Sequence, residues 1–170
     1  MSRADLDVAE RLARIRSLLA GLPGALGNGQ VLAWVNPGNA ESMPEQVFAL
    51  IDGAHRLLER WGPGGGGDGI PVDAADLKTK LSEVDEGTAA QVLVWALSTT
   101  MAYGAGGRYP EEKAQDLVKT LIRLLGYNAH WWTNRGDARS WKPVTRHSMD
   151  VVVVGTGGGV IVTVLAVDED

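Results

Sequence analysis

The chain contains no cysteine. Disulfides, thiolate metal sites and cysteine nucleophiles are therefore excluded outright. Phenylalanine occurs once and tyrosine three times, so most of the aromatic surface belongs to six tryptophans. No apolar run approaches the roughly 18–20 residues of a membrane-spanning helix, and the N-terminus lacks the apolar core of a signal peptide. A soluble, cytoplasmic protein with no membrane partner is expected. Recognisable catalytic spacings are also missing: there is no His-x-x-x-His and no Gly-x-Ser-x-Gly. Neither a metal nor a cofactor is expected.

What is present is ordinary for a globular protein. Hydrophobic residues make up 45 % of the 170, and charged residues 22 %, which excludes a fully disordered chain. A chain of this length buries roughly 70 % of its unfolded surface, and residues 1–170 read as a single domain. Sixteen Lys and Arg stand against 21 Asp and Glu, for a net charge of −5. That balance disfavours nucleic acid as the main partner. Arginine outnumbers lysine 11 to 5, a bias that suits a GC-rich bacterial genome.

Five helices are legible from periodicity. Val8, Leu12, Ile15, Leu19 and Leu22 repeat at spacings of 4, 3, 4 and 3, which aligns them on one helical face after a Ser2/Asp5 start. Asp7 with Arg11, and Glu10 with Arg14, read as acid-before-base pairs one turn apart. The same seam admits packing within the chain or a homodimer. Gln30 to Val35 reads as a strand. Ser42 opens a second helix, with Val47, Leu50, Ile51, Ala54, Leu58 and Trp61 on its apolar face and His55 at its edge. Residues 63–69, nearly all glycine, read as a flexible loop, because the Gly-Lys-Ser/Thr ending of a phosphate loop is missing. A short third helix follows Asp73. Residues 89–102 are apolar almost all round, the mark of a buried central helix containing Trp95. Pro110 starts a fifth helix with Gly126 just past its end.

The remainder reads as sheet. Tyr127 to Thr133 alternates, and the β-branched runs 149–154 and 160–167 flank Gly155–Gly159 in the pattern of a β-hairpin. A nucleotide-binding glycine loop would need a helix next, and a strand follows instead. The unbroken Val151–Val154 run predicts a strand covered on both faces. The expected fold class is α+β: about five helices packed on a small, mainly antiparallel sheet that ends in a C-terminal hairpin.

One stretch departs from the acidic background. Between Tyr127 and His147, four cations (Arg135, Arg139, Lys142 and Arg146) stand against Asp137 alone. Three of the six tryptophans also lie here, as Trp131, Trp132 and Trp141. Arginine and tryptophan are enriched at interface hot spots, so Trp132, Arg135, Arg139, Trp141 and Arg146 are the candidate binding residues. Strand alternation sends Trp131 and Trp132 to opposite faces, with His130, Trp132 and Asn134 together on the polar one. His130, His147, Asp150 and Arg146 supply the residue types for acid–base work and anion stabilisation. Their spacing is not diagnostic, and His147 with Asp150 reads as a local hydrogen bond.

Two functions of different class follow. The first is a non-catalytic protein-interaction domain, of the inhibitor or immunity kind, that binds another macromolecule, most simply a protein. The alternative is an enzyme acting on a phosphorylated or nucleotide-like substrate through His130, His147 and Arg146. The first is favoured by the absence of a recognisable catalytic constellation. A small anionic ligand on the basic stretch fits either class.

Overall fold

The structure is a computed structural model, and it describes residues 6–22, 25–26, 29–58, 70–100, 105–106, 109–135, 141–145 and 149–168. The fold is α+β. Five helices and eight strands occur among the described residues: α1 (Val8–Leu19), β1 (Ala25–Leu26), β2 (Gly29–Pro37), α2 (Met43–Leu58), α3 (Ala74–Lys80), β3 (Ser82–Val84), α4 (Glu86–Ser98), β4 (Thr99–Thr100), β5 (Ala105–Gly106), α5 (Glu111–Leu125), β6 (His130–Thr133), β7 (Met149–Gly157) and β8 (Val160–Asp168). The glycine-rich 63–69 segment lies outside the described residues.

Short polar side chains start three helices. Asp7, Asp73 and Asp85 each accept from the backbone N–H three residues on, at 2.8, 2.8 and 2.6 Å. Each thereby satisfies a donor that the first turn leaves unpaired. The expected Ser2/Asp5 start of α1 lies outside the described residues, and the cap is Asp7. Val8, expected on the buried seam, is 43 % exposed. Arg11 is buried instead. Its guanidinium donates to the carbonyls of Leu124, Leu6 and Gly158 at 2.7, 3.1 and 3.1 Å. Helix α4 ends at Ser98, short of the expected Ala102, because Thr99 and Thr100 pair with Gly106 and Ala105 in a separate two-stranded ribbon. Gly126, at φ 103°, closes α5 as its sequence position predicts.

The main sheet has strand order β1-β2-β8-β7-β6-β3, with every neighbour antiparallel. Strands β7 and β8 occupy its centre, and Val151–Val154 and Val160–Val167 are buried throughout. Helices cover both faces, which is why these strands read as continuous apolar runs. On one face, Ile15 of α1, Leu93 and Leu97 of α4 and Leu121 and Leu125 of α5 pack on Val35, Trp131, Val151, Val153, Val162 and Val164. On the other, Met43, Val47 and Ile51 of α2 and Leu77 of α3 pack on Val152, Val154, Ile161, Leu165 and Val167. The result is a helix–sheet–helix sandwich.

The C-terminal hairpin is present with a tighter turn than expected. Only Gly158 and Gly159 leave the strands, at φ 57° and 83°. Two successive positive φ angles make the two-residue turn whose twist suits a hairpin. Gly155 and Gly157 belong to β7 and are needed for space. A Cβ on Gly155 would lie 2.5 Å from Cζ3 of Trp131 and 2.7 Å from Cδ2 of Leu125. A Cβ on Gly157 would lie 2.6 Å from the Leu125 carbonyl.

Candidate functional site

The described residues of the aromatic and basic stretch occupy different environments. Trp131 and Trp132 do point to opposite faces of β6. Trp131 is 2 % exposed within the first core, and its Nε1 has no partner. Trp132 is half-buried against the second core, with its ring 6.1 Å from that of His130. The strand begins at His130, so the alternation does not extend back to Tyr127, which sits in a turn and is 76 % exposed. Asn134, expected on the polar face, is buried.

The reason for burying Asn134 is Asp150. Asn134 donates from Nδ2 to the Lys142 carbonyl and to Asp150 Oδ1, at 2.9 and 2.7 Å, and accepts from Val152 N–H at 2.9 Å. Asp150 has no exposed surface. It also accepts from Val144 N–H, from Thr145 N–H at 2.8 Å and from the Thr145 hydroxyl at 2.8 Å. Trp141 Nε1 donates to the Asp150 carbonyl at 2.7 Å. Asp150 thus pins the returning chain at 141–145 onto β7. Burial pushes its carboxyl above the usual carboxylate range, and the donors from Thr145, Val144 and Asn134 oppose that rise.

His130 occupies a different environment. Its Nδ1 lies 2.9 Å from Glu83 Oε1 on β3, and both side chains are more than half exposed. His130 is paired with Thr156 across β7, six residues from Asp150. Six residues of strand span about 20 Å, so the two candidate acid–base groups do not share a cleft. His147, Arg139 and Arg146 lie outside the described residues. Among the described residues, no group of three or more His, Asp or Glu could hold a metal ion.

A concave feature lies elsewhere, along the outer side of α4 and α5. A groove of about 870 Å³ runs between them. Glu86, Ala90, Val94 and Ser98, each one turn apart, line it from α4. From α5 come Glu111, Gln115, Val118 and Ile122, and Tyr109 closes one flank. Ala90, Val94 and Trp95 are only half-buried. The apolar circumference of α4 thus has two uses: Ala89, Leu93, Ala96 and Leu97 enter the core, and the other side floors the groove. The reading of 89–102 as wholly buried is corrected here. Its all-round apolarity is the one signal in the sequence that pointed to the groove.

Among the described residues, the basic stretch reaches this groove through Arg135. The Arg135 guanidinium lies over the Trp95 ring, 4.4 Å from its centroid. That is cation–π distance. Arg135 is held there by its N–H bond to the Thr133 hydroxyl and by its bridge to Trp141. No protein-family model matches the chain, and comparison with curated proteins and with solved structures finds no match.

Proposed function

We propose that this chain is a non-catalytic protein-interaction domain, of the inhibitor or immunity kind, that receives an amphipathic helix of a partner protein between α4 and α5. The observation that carries this reading is the groove between α4 and α5, floored by Ala90, Val94 and Trp95, which pack only partly into the first core. An apolar concavity with a polar rim is the usual form of a recognition groove. The Glu86–Ser98 stripe is about 18 Å long, enough for about three turns of a docked helix. The whole chain carries −5, which favours a partner with basic flanks. Of the residues on which the enzyme alternative rests, His130, His147 and Arg146, His130 alone lies among the described residues.

Site-specific photo-crosslinking tests the reading. A photoreactive residue at Gln91 or Gln115 should give an adduct with one and the same protein in extracts of the source cell. The same residue at Lys78, on α3, should not. Val94→Glu should abolish the adduct and leave the melting temperature within a few degrees. An adduct that survives Val94→Glu would place recognition elsewhere. Turnover of phosphate esters or nucleotides, lost in His130→Ala, would favour the enzyme instead.

A further inference from the structure

Among the described residues, no strand pairs with the outer edge of β2 beyond Gln30; Ala33 is half-buried there, and Val31 and Val35 are buried. The outer neighbour of β2, strand β1, pairs only with Gly29 and Gln30. The direction of the free groups follows from one bond. Gly38 N–H donates to the Gly159 carbonyl at 3.0 Å, toward β8. Backbone groups alternate along an antiparallel strand, so those of Leu32, Trp34 and Asn36 also face β8. Those of Val31, Ala33 and Val35 face outward. The Pro37 carbonyl faces outward too, and there it accepts from Gln46 Nε2 at 3.0 Å, which ends the open stretch.

Exposed sheet edges are normally blunted by charge, by an internal proline or by a bulge. No residue from Gly29 to Pro37 is charged, and the only proline is the last residue. Beside the edge lies a cavity of about 390 Å³, between Ala33 and Val35 of β2 and Leu19 and Ala20 of α1. Among the described residues Arg16 is the only charged group lining it, and it is exposed.

We propose that the outer edge of β2 takes an extended segment of a partner protein as an added strand. One apolar side chain enters the α1/β2 cavity, and an acidic side chain next to it meets Arg16. Strand addition supplies affinity through backbone bonds and specificity through alternate side chains. A second copy of this chain is a poor occupant. Twofold pairing centred on Ala33 would bring the second copy's residues 36 and 37 opposite Gln30 and Gly29, where Leu26 and Ala25 already sit. Moving the centre to Val35 clears β1 but draws Pro37, which has no N–H, into the pairing.

Two measurements on the full chain test this. In the free protein, amide exchange at Ala33 and Val35 should be fast while Trp34, bonded toward β8, stays protected. A displayed library of random nine-residue peptides should then yield binders with alternating apolar residues and one acid. The binders should protect the Ala33 and Val35 amides. Ala33→Pro removes only an outward N–H and should weaken them at least about tenfold. Methylating alternate peptide nitrogens should do the same without altering the protein. Arg16→Gln should remove the preference for the acid. Slow exchange at Ala33 and Val35 in the free chain, or protection that grows with protein concentration, would overturn the proposal. So would a library without binders, or binders indifferent to Ala33→Pro and to methylation.

Discussion

Asp150 is a carboxylate with no contact with water, held by donors from Asn134, Val144 and Thr145. Its raised pKa means that folding takes up a proton between the unfolded value, about 3.9, and the folded one. Stability from this group is therefore largest at low pH and falls as pH rises through the folded pKa. The unfolding free energy of wild type minus that of Asp150→Asn should decline as pH rises above the unfolded value, by at most about 1.4 kcal/mol per unit, and level off once pH passes the folded pKa. Denaturant titrations at several pH values check this, and a constant difference would show an unshifted group. Gly155 is the opposite case, a residue whose lack of a side chain matters. Gly155→Ala should displace the Trp131 ring and cost about 1–3 kcal/mol, read as a lower denaturant midpoint and an altered near-ultraviolet dichroism. Neither role is legible in the sequence. The Asp150 network depends on partners five to sixteen residues away, and Gly155 resembles a turn glycine until Trp131 is seen lying across it.

At the scale of elements, the strongly periodic helices were readable because one stripe of each must face the sheet. The Asp73 start, the Pro110–Gly126 limits of α5 and the two central strands all stand where local rules put them. Strand β3 was not readable. Ser82–Val84 is three residues long, carries a charge and exists only because β6 offers it an edge. The error at α1 has a related cause. Periodicity marks which residues share a stripe but not that a charged one will be buried, and Arg11 is buried because three carbonyls from three elements converge on it. One of these is Leu124, in the last turn of α5, where a cation is favoured by the helix dipole. Arg11→Met keeps the aliphatic stem and removes the donors. It should cost about 3 kcal/mol and speed amide exchange in the last turn of α5 and in the 158–159 turn. Unchanged exchange there would show that the joint is redundant.

At the scale of the molecule, one sheet serves two cores. Val152 and Val153 are neighbours in sequence and face opposite helical layers. Each substitution to Ala should cost about 2 kcal/mol. If the layers unfold together, Val152→Ala on the α2 side will lower amide protection in α5 as well as in α2. Loss confined to α2 and α3 would mean that the two sides melt separately. The candidate groove was out of reach of sequence reasoning for a similar reason. The apolarity of α4 is local, but which part of it stays outside depends on α5 and on the width of sheet available. The cation over Trp95 is Arg135, two residues past the end of β6 and forty residues further on. The sheet order also bears on how the chain assembles. Beyond its short hairpin with β1, β2 pairs only with β8, and Gln30 meets Val167 across nearly the whole sequence. Of the described elements, β8 is the last to leave the ribosome. Helix α1, strand β2 and helix α2 therefore wait through most of synthesis without the surface they pack on, their apolar faces open to chaperones or to premature association.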